Sequence, residues 1–368
     1  MRAPALVLGL ELLLRPLAAG ACGGGVVVPL DSSTGANAQR ILLSVNGGVT
    51  EVVTQIAVPE SSADYGALIP VPAQPTLDPY PVSEADLDAL DDATKPTVLT
   101  DDDSGGCDCV PTMGGGGGVE VPGIQLSAPV QIGPVTATVL TAETGTALQA
   151  WLDEQGFAIP DASLPIVDSY AGSGKYFIAI RSSAGTTQRP SSIGIHFTLP
   201  GDQRGLPLRF ASIGAGPSVA FTVFVIAPTT IAPSAPFVAL TLGHLNDDLL
   251  RRGQYAAAVA RAVADHHGRA FVLEHASAGR ALLPRLPANL RAWISANARL
   301  TRLSTVMTPA AMTRDVTFDT PYDQAIYSET YVRRETGTGP RPASAGTLLA
   351  VAFAAALRRG RRRYSSMI

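Results

Sequence analysis

The residues best suited to chemistry sit close together in Asp101–Gly118, which reads DDDSGGCDCVPTMGGGGG. Cys107 and Cys109 offer two thiolates, and Asp101, Asp102, Asp103 and Asp108 offer hard carboxylate oxygens. Together they raise the prospect of a metal site. The spacing does not support one. A Cys-x-Cys without a second pair or a neighbouring histidine cannot supply the four ligands of a zinc centre. An EF-hand would need alternating acidic ligands, a glycine and a closing glutamate, and that order is missing. The stretch reads instead as a solvated loop carrying a disulfide, followed by a flexible glycine joint at Gly114–Gly118. Neither a metal nor a cofactor is expected.

Cys22 is the third cysteine. Three cysteines allow one disulfide and one remainder. Pairing of Cys22 with Cys107 or Cys109 is favoured over the tight ring of a Cys-x-Cys bridge. Closing that loop of roughly 85 residues would contribute about 4 kcal/mol in the chain-entropy view. A lipid on Cys22 is the competing reading. The position three residues before it is Ala19, where a lipobox prefers Leu.

The five histidines are His196, His244, His266, His267 and His275. His196 lies in a strand pattern beside Phe197 and reads as a core histidine with its hydrogen bonds met. His266 and His267 end a helical pattern, where a cation suits the helix dipole. Zinc ligation by His267 and His275 lacks a His-Glu-x-x-His arrangement. Gly172-Ser173-Gly174-Lys175 resembles the end of a phosphate loop, but the first glycine is missing and Tyr176 replaces the Ser or Thr that would meet magnesium. It reads as a tight turn. No Gly-x-Ser-x-Gly elbow is present. A dispersed Ser/His/Asp triad is defined by geometry rather than by sequence order, so it stays open as the enzymatic alternative. No catalytic residue is assigned.

Both ends of the chain read as addresses. Arg2, the apolar Ala5–Leu14 and the small residues Ala19-Gly20-Ala21 have the layout of an export signal over residues 1–21. At the other end, residues 343–357 form an uncharged, mostly apolar run. Arg358, Arg359, Arg361, Arg362 and Arg363 follow as a membrane-stop cluster that would stay cytoplasmic. The run is short of the roughly 20 residues that span a bilayer. Snorkelling arginines and local thinning can cover the deficit. A cleaved sorting tail and a terminal helix are the alternatives.

Of the 27 basic residues only Lys95 and Lys175 are lysines, a bias that GC-rich coding explains. With residues 1–21 and 340–368 set aside, the remainder is strongly acidic, which disfavours nucleic acid or an anionic bilayer surface as partner. An apolar fraction of 46% against 16% charged residues suits a well-buried globular protein and excludes general disorder.

The elements that would position any site divide the chain as follows. Residues 22–100 form a β-rich first module, with a short strand at Val26–Val28 and a hairpin of Ile41–Val45 and Val49–Val58 about Asn46-Gly47-Gly48. A strand at Tyr65–Val71 runs into alternate prolines that forbid a central-strand role. A helix N-capped by Ser83, with Asp86 at its third position, ends before Pro96. Residues 101–118 are the joint. Residues 119–320 form an α+β second module, and 22–320 is alternatively one domain. In it, strands are expected at 130–132, 135–140, 176–181, 192–198, 206–213 and 219–226. Helices are expected from Gly145 to a cap at Gly156, at 164–170, over one long stretch at 245–264, and at 290–294. Phe271–Glu274 is short and apolar, and 304–312 reads as a turn with Pro309 opening a helical turn. Residues 321–342 are a linker, 343–357 the apolar segment and 358–368 the basic tail. The fold class is α+β, β-dominated with antiparallel hairpins over the first two-thirds and with helices later.

Several segments in one order resemble a family of exported bacterial proteins known as domain of unknown function 2330. They are Ala21-Cys22-Gly23-Gly24, Asp64–Pro72, Ala147–Leu152 with Gly156-Phe157, Tyr176–Ala179, Leu206–Arg209, and Leu300–Leu303 through Met307-Thr308-Pro309 to Phe318-Asp319. The resemblance covers most of residues 21–320 and departs at Ala67, where the family tends to carry Trp. It implies an exported bacterial protein and brings no reaction, ligand or functional residue with it.

The expectation from the chain as a whole is an exported protein held at the cell envelope by its C-terminal tail, with its bulk extracytoplasmic. Its role is expected to be binding or scaffolding rather than catalysis, with an envelope or extracellular ligand as partner. A secreted hydrolase with a dispersed site is the alternative.

Overall fold

The computed structural model describes residues 25–29, 36–57, 66–99, 124–182, 192–295, 297–322 and 330–332. Two sheets carry the architecture. The large one has eight strands in the order Val238–Thr241, Ala270–Ala278, Arg299–Met307, Ala215–Ala227, Ala36–Asn46, Val49–Ala57, Ser192–Pro200 and Thr76–Leu77. The small one runs Phe157–Ala158, Gly25–Pro29, Gly66–Val71, Tyr176–Ser182, Val135–Ala142 and Ile124–Leu126, with Val130–Ile132 also paired to Val135–Ala142. Most pairings are antiparallel, but Ala36–Asn46 runs parallel to Ala215–Ala227 and Val238–Thr241 runs parallel to Ala270–Ala278. The chain is therefore a β-rich mixed α+β protein. The described residues up to Tyr331 fall into one compact unit.

Strand alternation explains how the layers stack. Ile41 and Leu43, Val52 and Ile56, and Val223 and Val225 face inward and meet Ile69, Val71, Ile178 and Ile180 of the small sheet in one shared core. The intervening Leu42, Val53, Phe224 and Ile226 face the other way, onto the helix Glu84–Thr94 and the short helical turns between 279 and 294. The outer face of the small sheet carries Leu68, Leu140 and Phe177, covered by helices Gly145–Glu154 and Leu164–Ala171 and by Phe210. The order is helix, sheet, sheet, helix, with residue period 2 sending each strand's apolar set to two different layers. Helix Tyr255–Asp265 adds Ala258, Val259, Ala262 and Val263 to the shared core.

Local signals act as expected where they are strong. Gly47 and Gly48 adopt φ +59° and +84° and turn the first hairpin, the left-handed geometry that two-residue hairpins require. The Ser83 side chain accepts from the Asp86 amide while the Asp86 carboxylate accepts from the Ser83 amide, a complete capping box. The helix ends at Thr94, ahead of Pro96. Helix Gly145–Glu154 gives way to Gly156 at φ +82°.

Four expectations need correction. The 245–264 stretch is two helices, Asp247–Arg251 and Tyr255–Asp265, because Gly253 at φ +67° turns the chain between them. The 206–213 stretch is a two-residue strand, Gly205–Leu206, then one helical turn, Leu208–Ala211. Its alternating apolar pattern also fits a turn that sends Leu208 and Ala211 to the shared core and Phe210 and Ile213 to the outer one. The 304–312 stretch begins inside strand Arg299–Met307, and only Pro309–Ala311 is helical. Strand Gly66–Val71 is flanked on both sides, by Gly25–Pro29 and Tyr176–Ser182. Pro70 is tolerated because it stands opposite Phe177 beyond the last pair on the other side, Leu68 with Gly25.

No helix among the described residues is long and apolar enough to cross a membrane. Residues 1–21, the apolar segment 343–357, the arginine cluster Arg358, Arg359, Arg361, Arg362 and Arg363, and the cysteines Cys22, Cys107 and Cys109 lie outside the described residues.

Candidate functional site

One cleft of about 410 Å³ opens where the exit of strand Gly66–Val71 meets two later segments of the chain. Pro70 and Pro72 form one wall. Segment 202–207 forms another, its Gly205 and Leu206 laddered antiparallel to Thr317 and Val316. Tyr170 enters from the last turn of helix Leu164–Ala171, and Gly172–Gly174 turns the chain to place Lys175 beside it. Asp202, Arg204, Asp315 and Asp319 complete the charged lining. The size falls in the range of small-ligand sites.

The charges in this cleft are mostly spoken for. Arg204 grips Asp202 through two parallel bonds of 2.6 Å, Nε to Oδ1 and Nη2 to Oδ2. Asp315 Oδ1 accepts from the Tyr170 hydroxyl at 2.5 Å and from the Arg209 amide at 3.1 Å. Asp319 accepts from the Ser234 hydroxyl. Burial of the ring, and then the Asp315 carboxylate, hold the Tyr170 phenol far above the ordinary tyrosine range, so it remains a hydrogen-bond donor. The Arg209 guanidinium lies 6.0 Å from the centroid of that ring. Lys175 makes no ion pair and no side-chain hydrogen bond with described residues. The turn before Lys175 caps the C-terminal end of a helix, the negative pole. A phosphate loop needs the opposite pole, so the geometry rejects that reading on electrostatic grounds. Among the described residues no histidine, cysteine or serine lines the cleft. It presents mostly fixed charges and apolar walls, and its one hydroxyl–carboxylate contact, Tyr170 with Asp315, holds a phenol that stays protonated.

His196 lies on the outer face of the large sheet. Glu51 reaches it from the neighbouring strand, and Asp78 from the strap that follows Thr76–Leu77. Nε2 is 2.7 Å from Glu51 Oε2 and Nδ1 is 2.8 Å from Asp78 Oδ2. The ring stacks on Trp293 at 4.6 Å between centroids. Gly194 makes room for the strap, because a Cβ there would stand 2.8 Å from Val82 Cβ. Both ring nitrogens are engaged and His196 is buried, so the imidazole has no free edge for a substrate proton. It is the satisfied core histidine that its strand pattern indicated.

The other histidines are dispersed. His244 Nδ1 sits 3.0 Å from the Thr241 amide and caps a short turn. His266 Nδ1 donates to the Ala262 carbonyl at 2.9 Å, and His267 takes φ +57° just past the helix. His275 Nε2 contacts Ser277 Oγ at 2.8 Å, while its Nδ1 is buried without a partner. Burial, followed by the nearby charges of Arg302 and Arg285, pushes this imidazole down to about 4. A hydroxyl beside so weak a base, with no acid orienting it, falls short of a nucleophilic triad. No group of three His, Cys, Asp or Glu side chains suited to a metal occurs among the described residues.

A polar network that sequence reading missed joins the second and third strands of the large sheet to helix Glu84–Thr94. Arg302 Nε meets Glu274 Oε2, and Arg302 Nη1 meets Asp91 Oδ1 at 2.7 Å and Thr94 Oγ1 at 3.2 Å. Tyr255 donates its hydroxyl to Glu274 Oε1 at 2.5 Å. Glu274 is the extra residue of a β-bulge, since Leu273 opposes Leu303 and His275 opposes Arg302. Every member is partnered, so this network reads as a brace between the sheet and helix Glu84–Thr94 rather than a reaction centre.

Sequence reading also missed Tyr170, Asp202, Arg204 and Asp315 as cleft residues. The one available signal was segmental: stretches that carry the family resemblance contribute Pro70, Pro72, Leu206, Pro207 and Asp319 to the same cleft. No curated protein and no solved structure matches the chain. A family model described as "Uncharacterized protein conserved in bacteria (DUF2330)" matches residues 16–319, spanning both sheets and every wall of the cleft, and the chain belongs to that family.

Proposed function

We propose that this protein is a binding module of the bacterial cell envelope, exported and held there by its C-terminal tail, whose ligand enters the cleft between Pro70, Leu206 and Asp315. The observation that carries the reading is the cleft's inventory: apolar walls, charges fixed by neighbours except at Lys175, and, among the described residues, no histidine, cysteine or serine in the lining, the one hydroxyl–carboxylate contact being a Tyr170 phenol held protonated by burial. Preset charges and walls suit recognition of a ligand more than bond making. The signal-like residues 1–21 and the apolar run with its arginine cluster support the location.

A blocking substitution tests the cleft. At Gly205 an added Cβ meets only ordinary contacts, 3.5 Å to the Val316 carbonyl and 3.8 Å to Thr317. Gly205→Phe should therefore fold and narrow the cleft. A fragment screen by ligand-observed NMR should give binders to the wild type that Gly205→Phe loses. Turnover of an ester, peptide or glycoside panel, abolished by Ser277→Ala, would replace this reading with the hydrolase. The location is tested by intact mass and non-reducing peptide mapping of protein from its own cells. A mature chain beginning at Cys22, bridged to Cys107 or Cys109 and retaining the arginine tail, is the expected species. A cytoplasmic chain with residues 1–21 intact would overturn it.

A further inference from the structure

We infer that the cleft selects a ligand that ends in a carboxylate on an apolar frame, and that Lys175 is the residue that recognises it. This rests on the cleft being the binding site and deepens that reading. Five charged side chains line the cleft. Asp202 and Arg204 neutralise one another through a bidentate contact, Asp315 takes donors from Tyr170 and the Arg209 amide, and Asp319 takes one from Ser234. Lys175 alone has no partner among the described residues, although it is half-buried and only two lysines exist in the chain. The other, Lys95, is paired with Asp92. An ammonium on a half-buried side chain with no counter-ion among the described residues gains most from a ligand that supplies one. The walls beside it are Pro70, Pro72, Leu206 and Val316, which fit an apolar body and leave a polar head for Lys175. A cationic ligand gains less, because each carboxylate already has a donor. A phosphate is a poorer fit than a carboxylate, since among the described lining residues Lys175 is the one unpaired cation, and Asp315 and Asp319 in the same lining disfavour a doubly charged anion.

The test compares N-acetyl-leucyl-leucine with its C-terminal amide, by saturation-transfer NMR and competition at low ionic strength. The acid is expected to bind about tenfold more tightly than the amide. Lys175→Gln should remove the difference, Lys175→Arg should keep most of it, and Gly205→Phe should abolish binding of both. Raising salt should weaken the acid and leave the amide unchanged. Equal binding of acid and amide in the cleft would overturn this inference while sustaining the cleft as a binding site. Acid binding that survives Gly205→Phe would place the carboxylate elsewhere and overturn it too. Inorganic phosphate displacing the acid as effectively as acetate does would overturn the choice of anion.

Discussion

Arg302 and Glu274 meet across the second and third strands of the large sheet with both side chains closed off from solvent, 8% and 1% exposed. A buried pair contributes less than its geometry suggests, because two charges had to leave water. Breaking it is another matter. Glu274→Leu leaves Asp91 as the guanidinium's counter-charge and takes the partner from the Tyr255 hydroxyl, and should cost about 3 kcal/mol in a urea titration. The double variant Glu274→Leu with Arg302→Met should recover a substantial part of that loss. A single variant as stable as wild type would mean that Asp91 and Thr94 suffice to hold Arg302.

His275 sets an acid limit on stability. Its folded value of about 4 lies below the ordinary 6.5 of an unfolded chain. Between those values the unfolded state takes up a proton that the native state refuses. The contribution is intact above pH 6.5 and is lost as pH falls toward 4, at most about 3 kcal/mol. Wild type should lose more stability between pH 7 and pH 4.5 than His275→Gln does, by chemical denaturation at both values. Parallel losses would show that this imidazole titrates normally in the fold.

Tyr170 and Tyr255 should be silent in an alkaline titration. Burial raises both phenols first, with Asp315 beside Tyr170 and Glu274 beside Tyr255 adding to it. Tyrosinate absorbance should therefore account for fewer than the nine tyrosines until the protein unfolds. Tyr170→Phe and Tyr255→Phe should each leave the native part of the curve unchanged. A variant that lowers it would identify a phenol ionising in the folded protein.

Gly194→Ala should loosen the strap over the edge of the large sheet. The new methyl would come 3.1 Å from the Val82 carbonyl and closer still to its side chain. Relief requires moving the strap that delivers Asp78 to His196. A cost of about 1–3 kcal/mol is expected, with faster proteolysis near Tyr80, which is 78% exposed. Unchanged proteolysis would mean that the sheet, not the strap, absorbs the methyl.

What was legible in the sequence was local. Asn46-Gly47-Gly48 and Ser83 with Asp86 specify a turn and a cap within four residues, and both formed as read. What was illegible depends on distant partners. Nothing near Ala36–Asn46 announces that its parallel neighbour is Ala215–Ala227. Gly253 was hidden inside a good helical pattern because one glycine is tolerated in many helices. His196 was identifiable as buried, but Glu51 and Asp78 lie 145 and 118 residues away from it. The cleft is the extreme case: its walls come from stretches that only the folded chain brings together.

The parallel pairing of Ala36–Asn46 with Ala215–Ala227 also carries a kinetic consequence. The first hairpin leaves the ribosome with two open edges. One is closed by Ser192–Pro200 and the other by Ala215–Ala227. More than a hundred residues must therefore be synthesised before either edge is covered, and such non-local contacts make folding slow. For all that time the nascent chain displays an apolar, strand-ready template. Chains truncated before residue 192 should self-associate through it, and a holding chaperone should suppress that more effectively than any stabilising substitution in the finished fold.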